Sequence, residues 1–262
     1  MIRKLNIKDK KQILDFCYKR EKENLFVIGS FKFYKNPFKE NIYWGYFTGT
    51  KMTGLAVYFG RFGNFVINAS EKKVIDELLD EGIKANIKIT AVAAFEKYAK
   101  SMLVRLKKKY KIVPKKFSNE YVLVLNKKDF KDFSEGGEKQ ASSKDIDELA
   151  RLNGGINFVN DEERKRIFPK NEFIIRMDGK IVSKANLNGV SKNYFQIGGV
   201  VTQEKYRRKG YARRVVSNLC KYNFKKGIKF GLLFTGKDNI AAQNLYKNIG
   251  FKIIDKFILT EF

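Results

Sequence analysis

The chain has 262 residues, 44% of them hydrophobic and 31% charged, with 54 Lys and Arg against 28 Asp and Glu for a formal charge of +26. It has no histidine and two cysteines, which excludes Ser-His-Asp triads, Cys-His dyads, HExxH zinc sites, disulfide frameworks and four-thiolate metal sites, so no metal is expected. The length suits one large domain or two of about 130 residues, no apolar run approaches the ~20 residues of a membrane span, and the start MIRKLNIKDK lacks the apolar stretch of a secretory signal, so a reducing, cytoplasmic setting is expected.

In chain order, residues 2–6 read as a short strand and 8–20 as a helix with Ile13, Leu14 and Cys17 on its apolar face. Three aromatic and β-branched runs, 42–48, 53–59 and 64–69, form a meander of hairpins separated by FTGTK and GRFGN. Residues 71–81 read as helical, 86–92 as extended, 94–109 as helical and 119–125 as extended. Apolar periodicity is lost over 126–143, which makes 131–143 the linker candidate between domains at 1–130 and 144–262. Beyond it, Ser142 or Ser143 can cap a helix over 144–152, and 160–167 reads as helical. Strands follow at 172–177, 181–188 and 193–202, with an Asp-Gly-Lys hairpin signal at 178–180. A helix over 210–226, a buried strand over 229–235, a helix over 238–249 and a strand over 251–261 complete the chain.

The positive charge suits an anionic partner, but it is spread evenly: +14 before residue 143 and +12 after it, with no basic tail. The arginines are more pointed. Arg207, Arg208, Arg213 and Arg214 fall within eight of the chain's residues.

The two halves echo each other. Gly63-Asn64-Phe65 matches Lys192-Asn193-Tyr194, Gly82-Ile83-Lys84 matches Gly227-Ile228-Lys229, and Tyr110-Lys111-Ile112 matches Phe251-Lys252-Ile253. From Asn64 to Gly82 is 18 positions and from Asn193 to Gly227 is 34, so the first half is 16 shorter there. The pattern predicts a duplicated fold in which the first copy lacks a loop.

That loop carries the chemistry. A strand ending Gly198-Gly199-Val200-Val201-Thr202 runs into Arg207-Arg208-Lys209-Gly210-Tyr211-Ala212, where a helix opens. A helix start offers unpaired N–H groups and the positive end of the macrodipole, a ready anion site. Gly210 and the small Ala212 let a ligand approach the backbone. Gly198-Gly199 inside a strand predicts a bulge, which would splay this strand from 229–235 and open backbone groups to an extended ligand arm.

With these motifs, 144–262 resembles the GNAT N-acetyltransferase superfamily. Arg207 through Ala212 match its [Q/R]-x-x-G-x-[G/A] pyrophosphate loop, and Asn239 through Phe251 match N-x-x-A-x-x-L-Y-x-x-x-G-F. Residues 1–125 resemble it only as a degenerate relative. The resemblance implies an α/β fold, a mixed central β-sheet flanked by helices in two tandem copies, and acetyl-CoA as co-substrate. It implies that Val200, Val201 and Thr202 bind the pantetheine arm, that Arg207, Arg208, Lys209, Gly210, Tyr211 and Ala212 cradle the pyrophosphate, that Asn239 faces the cofactor, and that Tyr246 is the general acid. Tyr246 also lies on the Ala242, Leu245, Ile249 stripe, as a core tyrosine would.

No acid lies within 193–199. Glu172 and Glu204 are near in sequence, and deprotonation through ordered water is equally open. Cys17 and Cys220 read as packing. The reading is an acetyl-CoA-dependent N-acetyltransferase acting on a primary amine of a small molecule or peptide, with no membrane or nucleic-acid partner expected. Its rivals are a non-catalytic acetyl-CoA sensor and a basic nucleic-acid-binding module, though the latter lacks aromatics interleaved with arginine.

Overall fold

The structure is a computed structural model that describes residues 1–154, 164 and 167–262; the helix expected over 160–167 falls largely outside the described residues. Among them, no helix is long and apolar enough to cross a membrane. The chain divides into two compact units, Met1–Val122 with Ile254–Phe262, and Leu123–Ile253.

The first unit opens with β1 (Ile2–Lys4), α1 (Lys10–Tyr18), α2 (Leu25–Phe33) and the short α3 (Pro37–Glu40). Its antiparallel meander is β2 (Asn41–Thr48), β3 (Lys51–Phe59) and β4 (Asn64–Ala69). Then come α4 (Lys72–Lys84), β5 (Ala91–Phe95), α5 (Glu96–Tyr110) and β6 (Lys116–Asn126). β4 and β5 pair in parallel. The chain's last strand closes on β5, antiparallel from Phe257↔Phe95 to Glu261↔Ala91. The core gathers Ile13 and Cys17 of α1, Val27 and Ile28 of α2, and Tyr43, Leu55 and Val57 of the meander.

Two local readings change. α2 is absent from the sequence-based reading because Leu25–Phe33 is apolar almost throughout and shows no 3.6-residue polar side; a helix buried on most sides loses that signal. The extended segment begins at Ala91, not 86, because Asn86 turns the chain with φ 53° and Thr90 N bonds Gly63 O at 2.9 Å.

In the second unit the linker ends in β7 (Lys139–Gln140), which pairs with the next strand at Lys139↔Ile174 and Gln140↔Phe173. α6 (Ile146–Gly154) follows a single 3-10 turn. There Ser142 donates to the Asp145 carboxylate from its backbone N at 2.7 Å and from its Oγ at 2.9 Å, and Asp145 N donates back to Ser142 O at 3.1 Å. β8 (Glu172–Met177) and β9 (Lys180–Val190) form a hairpin whose turn residues Asp178 and Gly179 have φ 50° and 77°, as a type I′ turn requires. β10 (Tyr194–Thr202), α7 (Tyr211–Lys225), β11 (Phe230–Gly236), α8 (Ile240–Ile249) and β12 (Lys252–Glu261) complete the order. The strands lie β11-β10-β9-β8-β7, with β10 and β11 parallel. Phe195, Ile197, Val215, Val216, Leu219 and Cys220 are buried between sheet and α7.

Both units thus run meander, helix, parallel strand, helix. The structure moves the internal matches. Gly82 lies inside α4, where a Cβ would strike the Phe65 ring. The left-handed residue after α4 is Asn86 (φ 53°), which corresponds to Gly227 (φ 85°) after α7. Lys111 (φ 59°) after α5 likewise corresponds to Gly250 (φ 112°) after α8. From the first residue of β4 to Asn86 is 22 positions, and from the first of β10 to Gly227 is 33, so the first unit is shorter by 11, not 16. Most of this lies in the turn: two residues join β4 to α4, eight join β10 to α7.

Candidate functional site

The bulge expected at Gly198-Gly199 is present. β10 shifts register against β9 between Gln196 and Ile197 and again between Gly198 and Val201, and Gly199 has φ 51°. The parallel ladder with β11 ends at Ile197↔Leu233, although β11 continues to Gly236. The backbone of 198–202 is therefore tied to β9 on one side, through Val201↔Lys184 and Thr202↔Ser183, and parts from β11 on the other. Val200, Val201 and Thr202 are part-exposed along this opening.

The strand has a second reason for its glycines. A Cβ on Gly198 would fall on the Asn188 carboxamide, and one on Gly199 on Asn186 Oδ1 with Lys184 Nζ 3.4 Å away. Asn186, Asn188 and Lys184 lie across the bulge because no side chain stands there. Asn186 Nδ2 donates to Asn188 Oδ1. Lys184 is 1% exposed and pairs with Glu172 Oε2 at 2.9 Å, itself 6% exposed. Burial raises the Glu172 pKa, and the Lys184 charge opposes that rise. Gln196 of β10 is buried and donates to Ile197 O, while its Oε1 has no partner among the described residues. Sequence reasoning noticed Glu172 but missed Lys184, Asn186 and Asn188. Their alternate spacing in β9 was the available signal, since it puts all three on one face.

The eight-residue turn brings most of the expected phosphate ligands together. Arg207, Arg208 and Lys209 are exposed, and Arg207 Nε donates to Thr202 O at 3.4 Å. Arg208 is left-handed at φ 63°. Gly210 is the N-cap of α7 at φ 83°, and no side chain caps the first turn, so the N–H groups of Tyr211 and Ala212 head the helix uncovered. A Cβ at Gly210 would meet only Arg213 at 3.9 Å; the glycine serves the backbone conformation rather than relieving a clash.

The arginine cluster divides. Arg213 stacks over Phe133 at 4.3 Å, and Arg214 is held by Glu138 at 2.7 Å, Glu135 at 3.0 Å and Gly136 O at 2.9 Å. These two fasten the segment before β7 to α7, which leaves Arg207 and Arg208 on the turn. A cavity of about 480 Å³, lined by Glu138, Asn218, Lys221 and Tyr222 among others, lies along the C-terminal half of α7, remote in sequence from Gly210.

Asn239 is the N-cap of α8, its Oδ1 accepting from Ala242 N at 3.1 Å. Its oxygen is thus committed to the helix, and any role toward a ligand falls to its amide nitrogen. Gln243, unnoticed in the sequence, is buried and donates to Gly236 O at 3.2 Å and Lys237 O at 2.8 Å, which fixes the turn leaving β11. Tyr246 is 7% exposed, with its ring edge-on to Phe251. Burial pushes its phenol pKa upward, so it holds its proton at neutral pH. Cys220 is buried on α7, and burial drives its thiol pKa well up, consistent with packing. Among the described residues no group of three or more His, Cys, Asp or Glu could hold a metal ion.

Residues 144–251 match the model of the Acetyltransferase (GNAT) family, which uses acetyl-CoA. Among solved structures, the chain is similar to a tandem GNAT protein from the clavulanic acid biosynthesis pathway, with TM-score 0.64, 11% identity, and 99% and 97% of the two chains covered. It is similar to a Drosophila protein, with TM-score 0.73, 10% identity, and 100% and 98% covered. It is also similar to a GCN5-related N-acetyltransferase from Sphaerobacter thermophilus, with TM-score 0.60, 13% identity, and 99% and 94% covered. These identities speak to the fold. No curated protein sequence matches the chain.

Proposed function

We propose that the GNAT-family domain matched over 144–251 gives this protein its activity: transfer of an acetyl group from acetyl-CoA to a primary amine. The observation that carries this reading is one continuous strand–turn–helix. β10 leaves β11 after Ile197, and the turn that follows delivers four basic side chains, Lys205, Arg207, Arg208 and Lys209, and an uncapped helix start at Gly210.

That arrangement suits a ligand with an extended amide-bearing arm and a pyrophosphate. Backbone groups of Val200 to Thr202 would pair with the arm. The first-turn N–H groups of α7, with Arg207, Arg208 and Lys209, would take the phosphates. Acetyl-CoA supplies an acetyl thioester. A backbone N–H at the bulge near Val200 donates to the carbonyl oxygen as negative charge develops there. Tyr246, kept protonated by burial, gives a proton to the departing sulfur. The first unit is a second copy of the fold without the pyrophosphate loop, and it shapes the acceptor side or supports the second unit.

Calorimetric titration of the full chain with CoA, followed by thiol release from acetyl-CoA over a panel of primary amines, tests this. Saturable binding with amine-dependent thiol release is expected. Binding without turnover on any amine would favour the sensor reading, and absence of binding would remove both.

A further inference from the structure

On the reading that acetyl transfer occurs at the β10 bulge, we propose that the Lys184–Glu172 pair is the proton acceptor of the reaction. Glu172, Asn186 and Gly198 lie side by side across three strands, as the pairings Glu172↔Asn186 and Asn186↔Gly198 show. Lys184 Nζ bonds the carboxylate at 2.9 Å and also sits 3.4 Å from where a Cβ of Gly199 would stand. It therefore bridges from Glu172 to the strand at which the thioester carbonyl is attacked. A buried ion pair seldom stabilises a fold more than apolar packing of the same volume would, so its position at the bulge points to a use.

The proton balance is simple. An acceptor ammonium sheds two protons as its nitrogen forms the bond to the acetyl carbon and the carbon–sulfur bond breaks. One ends on the departing sulfur. For the other, Lys184 passes a proton to the Glu172 carboxylate and regains its own from the ammonium, and Glu172 then releases it to solvent. The other strands leave this pair undisturbed. β7 offers only Lys139 as a charge, exposed at the edge, β10 has no ionisable side chain among Gln196 to Thr202, and Lys184 is the single charge acting on Glu172 among the described residues.

The test uses the full chain and the amine acetylated fastest by the unmodified protein. Glu172→Gln should lower turnover at neutral pH about 100-fold, leave CoA affinity within a few-fold, and abolish the acidic limb of the pH profile. The deficit should shrink as pH rises and the amine deprotonates itself. Because Glu172→Gln strands a buried ammonium, Glu172→Gln with Lys184→Met provides a neutral control that should bind CoA and show the same loss. An acceptor-independent arm follows from the geometry: Lys184, released from its ion pair and next to the strand that holds the thioester, should itself be acetylated when Glu172→Gln is incubated with acetyl-CoA, as read by peptide mass spectrometry. Near-normal turnover with an unchanged pH profile in both variants would overturn the assignment while leaving the transferase reading intact. CoA-bound Glu172→Gln with Lys184 unmodified would likewise overturn it. If the unmodified protein acetylates no amine and Lys184 stays unmodified, the transferase reading itself falls.

Discussion

β4 of the first unit and β10 of the second occupy the same place in their element orders, and both part from their parallel neighbours. β4 pairs with β5 only at Asn64↔Ala91 and Phe65↔Val92, and β10 with β11 only from Tyr194↔Phe230 to Ile197↔Leu233. What separates them is the chemistry past the strand. β4 pairs with β3 without a register shift, whereas β10 bulges against β9. Two residues carry β4 to a helix whose N-cap is Glu71, while eight, four of them basic and exposed, carry β10 to a helix whose N-cap is Gly210. Just beyond β4 the protein's own side chains take up the polar groups. Arg20 donates to Ser70 Oγ at 2.7 Å and to Tyr98 Oη at 3.2 Å, and Glu23 accepts from Tyr98 and, at 2.7 Å, from Lys97. Parted parallel strands therefore belong to the fold, and the proposed anion binding belongs to the turn and helix start.

The largest expected effect falls on the second unit's proposed acid. Tyr246→Phe keeps the ring against Phe251 and removes only the hydroxyl. Turnover should fall about 100-fold with acetyl-CoA affinity within a few-fold, measured by thiol release and calorimetry. A near-normal rate with a lowered melting point would instead make Tyr246 a packing residue.

Gly210→Val should weaken CoA binding at least tenfold, about 1.4 kcal/mol, because a branched residue resists φ 83° and crowds the helix start. The melting point should fall modestly. Unchanged affinity by calorimetry would break the assignment of the turn.

Arg20→Ala sharpens the comparison from the other side. It removes the bonds to Ser70 and Tyr98, so the first unit should lose about 1 kcal/mol of stability by chemical denaturation. CoA affinity should not change, and no new CoA site should appear. A second site in this variant would mean that Arg20, rather than the missing turn, closes the first unit.

The smallest effect concerns entry to α6. Asp145→Ala should cost about 1 kcal/mol. Burial pushes the Asp145 pKa up, but the Ser142 N–H and Arg176 pull it below the ordinary value. Its stabilisation is then present above about pH 4 and lost as pH falls through the depressed folded value. The difference between variant and unmodified protein in urea melts should therefore shrink on acidification; a gap that widens there would contradict the cap.

Much of the second unit was legible because its signals are local. Asp178-Gly179 sets a hairpin, Gly198-Gly199 a bulge and Gly210 a helix start, each through backbone conformation that few residues tolerate. Less was legible where packing decides. α2 has no polar side to reveal it, and Gly82 looked like a turn glycine although it serves contact with Phe65. The return of Ile254–Phe262 to the first unit is a long-range pairing, which a linear reading into 1–130 and 144–262 does not capture. It also means that a fragment ending near 130 would lack a strand beside β5. The pairing of Lys184 with Glu172 was hidden for the same reason, since residues twelve apart meet only through hairpin register.

If the second unit alone holds the cofactor site, the stoichiometry of CoA binding to the full chain reveals it most directly. Calorimetry should give one CoA per chain for the unmodified protein and one, bound at least tenfold more weakly, for Gly210→Val. Two CoA per chain, or one that Gly210→Val leaves untouched, would contradict it.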